Sequence, residues 1–231
     1  MPEGLEIELY RRVAERALHR IIADVDAPDS WYLKQGLTAV EITEALVGRG
    51  FLAARRIGKL LLLDVDGGDV LGLRFGMTGT LEVDGHRGVN ELRYASTRLD
   101  PAWVRFGLRF TDGGALAMRD PRRLGGVVWN PPLDHLGPDA STIGAAGLRD
   151  LLAGSRAPLK ARLMDQARLA GLGNLLTDEI LWRAGLVRGG SHTGDLMPAR
   201  ARGASCPRCG GELLRRQIGG RTTYSCARHQ R

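Results

Sequence analysis

Apolar positions change period along the chain. Between residues 5 and 18, Leu5, Leu9, Val13, Ala17 and Leu18 recur at helical spacing, with Arg11, Arg12, Glu15 and Arg16 on the other face. This predicts an opening helix packed on a core. Residues 38–47 repeat the pattern through Val40, Ile42, Leu46 and Val47, entered at Thr38 with Glu41 three residues on, the spacing of a capping box. Residues 60–65, 70–75, 80–83, 104–110, 115–119 and 126–129 then read as strands. Between them lie Asp66-Gly67-Gly68, the run from Gly76 to Gly79, Asp84-Gly85 and Asp112-Gly113-Gly114, residues that build turns. Short strands joined this way predict an antiparallel sandwich or barrel flanked by the first helix. A proline-rich stretch, residues 130–138, breaks the pattern as a linker, and residues 148–152, 157–166 and 175–184 read as helices. Residues 187–205 are glycine-rich and polar, and no internal repeat is present.

Length and charge narrow the picture. With 231 residues, 43% of them apolar, the chain can bury a real core. Thirty-three Lys and Arg against 26 Asp and Glu give a formal charge of +7, which suits a polyanionic partner. No apolar run reaches the length of a membrane span, and the first residues lack a signal-peptide hydrophobic region, so a cytoplasmic protein is expected, nucleoid-associated if bacterial.

All three cysteines fall in the last 26 residues, as Cys206-x2-Cys209, sixteen residues, then Cys226-x2-His229. Two knuckles joined by a short hairpin supply three thiolates and one imidazole, the donor set of a tetrahedral structural Zn2+. A disulfide would strand one thiol. A closed four-ligand site leaves no position for water or substrate, so the metal is expected to stiffen the hairpin. Between the knuckles, Arg215, Arg216, Arg221, Thr222, Thr223 and Tyr224 form a cationic, hydroxyl-bearing ribbon suited to a phosphate backbone.

A second feature is the joint Ala170-Gly171-Leu172-Gly173-Asn174 between two predicted helices. Its glycines allow close backbone approach, and the start of a helix gathers amide N–H groups for an anion. Asn174 is equally readable as a plain N-cap and the glycines as a tight turn.

These motifs together resemble the formamidopyrimidine-DNA glycosylase / endonuclease VIII family. Leu163-Met164-Asp165-Gln166 followed by the run from Ala170 to Leu186 is similar to that family's helix-two-turn-helix, and the run from Gly219 to Cys226 to its zinc hairpin. The start, Met1-Pro2-Glu3-Gly4-Leu5-Glu6, is similar to the family's Pro-Glu opening. The resemblance implies an α+β protein. A helix-flanked antiparallel β-sandwich would form the catalytic domain over residues 1–133, a helical helix-two-turn-helix domain residues 134–200, and a zinc-ribbon β-hairpin residues 201–231. It also implies a monomer that binds double-stranded DNA containing damaged bases or abasic sites in a basic interdomain cleft.

The implied activity is that of a bifunctional DNA glycosylase and AP lyase. Freed of Met1, Pro2 presents a secondary amine. An α-amino group has a reference pKa of about 7.7–8.0, so part of it is nucleophilic near neutrality. Attack on the anomeric carbon expels the base and leaves an iminium. That iminium acidifies the neighbouring sugar proton, and the 3′ phosphate can then leave by elimination. Glu3 is the candidate acid/base and Glu6 the candidate positioning group for the amine. The bland alternative for Pro2 is a proline opening a helix. Lys59 matches the family's catalytic lysine, its alternative being a solvated residue at a strand start. Met77 and Arg122 match positions that fill the void left by an extruded base, with core packing and a salt bridge as their alternatives. Arg74, Lys160, Asn174 and Arg221 are the expected phosphate contacts.

Four departures stand out. His229 replaces a cysteine ligand, Leu124 stands where one branch of the family has a phenylalanine wedge, and Arg74 stands where that branch has a histidine. Only the nineteen residues 187–205 separate the helix pair from Cys206, too few for the loop that caps 8-oxoguanine in relatives. Two rivals therefore stay open: a non-catalytic DNA- or RNA-binding member of the fold, and a glycosylase for bulky base adducts.

Overall fold

Aspartate-glycine turns close the strands into two antiparallel sheets. The computed structural model describes residues 2–89, 98–184 and 196–230. It divides into two compact units, Met1–His135 and Leu136–Arg231.

In the first unit, helix α1 (Gly4–Ala14) is followed by a 3-10 turn, and helix α2 (Ala39–Leu46) lies beyond strand β1 (Ile22–Asp26). One sheet has the order β1, β7 (Val104–Phe110), β8 (Ala115–Arg119), β5 (Thr80–Val83), β6 (His86–Arg87). The other runs β2 (Phe51–Ile57), β3 (Leu60–Val65), β4 (Val70–Arg74), β9 (Gly126–Trp129). A single apolar cluster joins Phe106, Leu108, Leu116 and Met118 of the first sheet to Leu61, Leu63, Leu71 and Val127 of the second, so the two sheets form a sandwich. Each buried leucine contributes about 1.5–3 kcal/mol. The predicted fold class is the observed one, and the strands at residues 60–65, 80–83, 104–110, 115–119 and 126–129 stand where the pattern puts them.

Three differences have physical reasons. The opening helix forms, but its buried stripe is Ile7, Tyr10, Val13 and Ala14, while Leu5 is 62% exposed and Leu9 is exposed too. Tyr10 decides the face: its ring stacks on Phe75 at 4.5 Å between centroids, and its hydroxyl donates to the Gly79 carbonyl at 3.4 Å. Strands β1 and β2, which periodicity does not predict, are both sheet edges, and each buries one side chain, Ile22 and Phe51. With so little burial there is no alternation to read. The capping box at Thr38 is present: Glu41 N–H donates to the Thr38 hydroxyl, and the Glu41 carboxylate accepts from Thr38 N–H at 2.8 Å.

The second unit has α3 (Ala145–Leu152), α4 (Leu159–Met164), α5 (Asn174–Arg183), a single turn α6 (Leu196–Ala199), and the hairpin of β10 (Leu213–Ile218) and β11 (Arg221–Cys226). The hairpin turn is Gly219-Gly220, both at positive φ, as a two-residue turn matching strand twist requires. Its apolar clusters are small: Leu163, Leu169 and Leu172 against α3 residues, and Trp182, Leu196, Leu213 and Tyr224 around Cys206 and Cys226. Of the linker at residues 187–205, positions 187–195 lie outside the described residues. Among the described residues no helix is long and apolar enough to cross a membrane.

A buried charge network ties helices to hairpin. Asp178, 2% exposed, accepts from Lys160 Nζ at 2.6 Å and from Arg200 Nε at 2.7 Å. Both cations also donate to the Thr222 carbonyl, at 3.1 and 2.8 Å, and Lys160 to the Thr223 hydroxyl at 2.7 Å. Lys160 is therefore a correction to the sequence reading. Expected to meet a phosphate, it is 2% exposed and points into the unit, because a carboxylate on the next helix gives its ammonium an internal partner. Asp178→Ala leaves two cations buried beside a carbonyl, and should lower the stability of this unit by about 3–5 kcal/mol in urea unfolding. Lys160→Met, which removes the surplus charge along with its donor, should cost less than Asp178→Ala in the same measurement.

Candidate nucleic-acid interface and metal centre

The head of α1 is held by its own acids. Glu3 occupies the N-cap and forms a capping box with Glu6, whose carboxylate accepts from Glu3 N–H at 2.9 Å. Pro2 is buried, and Glu3 is 1% exposed. Farther along, Arg11 donates to the Ala54 carbonyl at 3.5 Å and Glu8 meets Arg56 at 3.5 Å. Moving back along α1 thus moves forward along β2, which carries Pro2 towards the level of the two-residue turn Gly58-Lys59. Gly58, at φ 57°, makes that turn possible, and half-buried Lys59 sits at its tip.

The same end of the second sheet gathers the other candidates. Leu60, next to Lys59, pairs with Arg74, and Arg74 pairs with Gly126. Arg74 ends β4 with an exposed side chain. Beyond it, the loop from Gly76 to Gly79 carries half-buried Met77, and the loop before β9 carries exposed Arg122 and Leu124. A Cβ on Gly76 would meet the Leu124 carbonyl carbon at 2.4 Å, so only glycine allows the two loops to lie this close.

Asp120, fully buried, fastens them. It accepts from the Thr78 hydroxyl at 2.6 Å, from Gly125 N–H at 2.7 Å and from Arg122 N–H at 3.2 Å. Asp29 makes a second tie: Arg123 grips it bidentately at 2.6 and 2.5 Å and holds its carboxyl below the usual carboxylate range. Neither acid is legible as a tie in the sequence, where Asp120 shows only as the first residue of Asp-Pro-Arg-Arg and Asp29 carries no signal.

In the second unit the glycine joint is braced by Gln166. Its amide donates to the Leu172 carbonyl at 2.8 Å and accepts from Gly171 N–H at 3.1 Å. Gly171, at φ 109°, turns the chain into α5. Gly173 is the N-cap, and Asn174 is the first helical residue. The plain N-cap reading of Asn174 is thereby excluded, and its side-chain Oδ1 is buried with no hydrogen-bond partner among the described residues. Arg221 is exposed at the tip of the β10–β11 hairpin.

The four metal-ligand candidates converge, with all their donor atoms within 4.8 Å of one another. Cys206 Sγ and Cys226 Sγ lie 3.6 and 3.4 Å from His229 Nδ1, and Cys209 Sγ lies 3.7 Å from Cys226 Sγ. A tetrahedron with metal–sulfur bonds of about 2.3 Å places its sulfurs about 3.8 Å apart, so the donor set fits a zinc-sized ion. Gly211 N–H draws the Cys209 thiol below its ordinary pKa, whereas burial pushes Cys206 up. Arg208, between the first two ligands, lies 4.0 Å over the Trp182 ring and donates to the Trp182 carbonyl, so the knuckle is docked on α5.

Residues 1–127 match the formamidopyrimidine-DNA glycosylase N-terminal domain, and residues 136–193 match the formamidopyrimidine-DNA glycosylase H2TH domain. Formamidopyrimidine-DNA glycosylase of Azorhizobium caulinodans is 35% identical over 202 residues, covering 80% of this chain and 67% of that protein. The enzyme of the same name from Cereibacter sphaeroides is 35% identical, covering 81% and 69%. The fold is also that of Lactococcus lactis Fpg solved with DNA containing N7-benzyl-Fapy-dG, at TM-score 0.77 and 21% identity over 100% of both chains. The chain belongs to the formamidopyrimidine-DNA glycosylase family.

Removing Asp120 frees both loops at once. Asp120→Ala should cost about 1–3 kcal/mol in urea unfolding, because buried donors lose their acceptor. It should also weaken binding to duplex containing an abasic-site analogue, read by fluorescence anisotropy.

Proposed function

We propose that this chain is a base-excision-repair DNA glycosylase with AP lyase activity, removing oxidised or ring-opened bases through a Schiff base on the amine of Pro2. The observation that carries this reading is the gathering, at one end of the sandwich, of the head of α1, the Lys59 turn, Arg74 and the two loops bearing Met77 and Arg122. Family membership supports the class of reaction. Met1 lies outside the described residues; the working form of the enzyme begins at Pro2.

In this mechanism the Pro2 nitrogen attacks C1′ as the bond from C1′ to the base breaks, and the base departs with the electron pair. Opening of the sugar ring gives the iminium. Loss of a C2′ proton then lets the C3′–O bond break, releasing the 3′ phosphate. Glu3, beside the amine, handles sugar protons, while Glu6 holds the Glu3 N–H and so fixes the orientation of the terminus. Lys59 supplies positive charge next to the reacting sugar. Arg74, Asn174 and Arg221 take phosphates. Met77 and Arg122 enter the gap left by the extruded base, a thioether filling space and a guanidinium bonding the orphaned partner. Cys206, Cys209, Cys226 and His229 hold one Zn2+, which stiffens the hairpin that presents Arg221.

Borohydride reduction in the presence of abasic-site duplex should trap a covalent adduct. Pro2→Gly should reduce the trapped fraction about tenfold or more, and protein retaining Met1 should trap none. DNA binding without any adduct in the native protein would instead identify a non-catalytic binder. Release of 8-oxoguanine, thymine glycol and a bulky alkylated purine, compared side by side, assigns the lesion class. Elemental analysis should find one zinc per chain. His229→Ala or chelation should remove it and weaken DNA binding, whereas His229→Cys should keep it.

A further inference from the structure

Trp31 is 67% exposed, the most exposed of the large apolar side chains among the described residues. It is also held firmly. Its 3-10 turn is capped by Asp29, which accepts from Trp31 N–H at 3.2 Å, and Lys34 donates to the Trp31 carbonyl at 2.6 Å with its ammonium 5.0 Å over the indole ring. Asp29 is the same carboxylate that Arg123 grips. One acid therefore joins the Trp31 turn to the loop that carries Arg122 and Leu124.

The two segments run side by side. Asp29 meets Arg123, and Leu33 bridges Val127 in parallel fashion, both at a separation of 94 residues. That shared register sets Trp31 abreast of Gly125, next to Leu124 at the loop tip. A Cβ on Gly125 would meet the Tyr32 hydroxyl at 2.5 Å, and one on Gly126 would meet Lys34 Cε at 2.4 Å, so glycines let the strips close on each other. Gly126 pairs with Arg74, which brings the Lys34 stem beside the cationic sheet end.

From this placement we infer that Trp31 is a further DNA-contact residue: its indole stacks on a nucleobase flanking the damaged position while Lys34 pairs with a backbone phosphate. The inference rests on the DNA glycosylase reading above. A base stacks on any exposed π-face, and an adjacent ammonium suits the phosphate that accompanies it. Leu124 offers no such face. Trp31 does, from a segment that Asp29 and Arg123 tie to the Leu124 loop.

The test uses duplex carrying an abasic-site analogue. DNA should quench tryptophan fluorescence, and Trp31→Phe should abolish most of the quench while keeping affinity within about twofold. Trp31→Ala should weaken binding about tenfold, and Lys34→Ala should lower the slope of log affinity against log salt by about one. Thermal melts that match the native protein confirm that the variants are folded, as expected for an exposed side chain. Trp31→Ala binding as tightly as the native protein, or a quench that survives in Trp31→Phe, overturns the inference. Borohydride trapping run on the same samples separates the two claims: adduct in the native protein with unchanged Trp31→Ala binding sinks the Trp31 contact alone, and no adduct in the native protein sinks the glycosylase reading.

Discussion

A nucleophile at the end of a chain, the role proposed for Pro2, has no flanking backbone on one side to hold it, and chain ends fray unless they are tied down. Here the restraint is the capping box at the head of α1. Glu6 accepts from Glu3 N–H, and Glu3 is buried at the N-cap, so the imino acid before it is held by a helix start rather than by a loop. The helix is anchored in turn by Tyr10, which stacks on Phe75 and reaches the carbonyl of Gly79 at the end of the Met77 loop. The head of α1 and the Met77 loop are thus fixed to a common rigid element, as the proposed site, which would have to meet both a sugar and the gap beside it, requires.

Acids do most of the internal fastening in this basic chain. Asp120 joins the Met77 and Arg122 loops, Asp29 joins the Arg122 loop to the Trp31 turn, and Asp178 on α5 holds Lys160 of α4 and Arg200 after α6, which in turn donate to the hairpin. Each is buried and meets backbone N–H groups, a hydroxyl or cations, which is the condition under which a buried charge is tolerated. Arginines with acidic partners become scaffold. Arg74, Arg122 and Arg221, exposed at turns and strand ends, are left facing solvent. The distinction between the cations that build and those proposed to bind DNA is a matter of which ones an aspartate reaches.

That distinction explains where sequence reading succeeds and where it fails. Strands β3, β5, β7, β8 and β9 are legible because apolar runs alternate with aspartate-glycine turns, and the metal knuckles because their spacing has one economical explanation. Strands β1 and β2 are not, because an edge strand with one buried residue has no periodic signal. Leu5 and Leu9 mislead because their spacing is helical while the stacking partner Phe75, far along the chain, selects Tyr10's face instead. Lys160 misleads for the same reason: a lysine at the start of a helix reads as exposed until Asp178, eighteen residues on, is folded against it. Partners distant in sequence decided every such case.

The two units solve the problem of stability differently. The sandwich has one continuous apolar cluster spanning both sheets and α1. The second unit splits its apolar residues between two small clusters, too little for short helices and a two-stranded hairpin that is marginal alone. Specific cross-links take over. The Cys/His donor set closes one end of the hairpin, and the Lys160–Asp178–Arg200 network reaches its other half through the Thr222 carbonyl and the Thr223 hydroxyl. Between these two ties lie Tyr224 and Ser225, and just outside them Arg221 and the glycine turn. A hairpin tied at both points is braced against α5, the helix that Asn174 opens. In the proposed complex Asn174 and Arg221 would each take a phosphate, and bracing their supports against each other gives a small, weakly apolar unit the preorganisation that DNA binding demands.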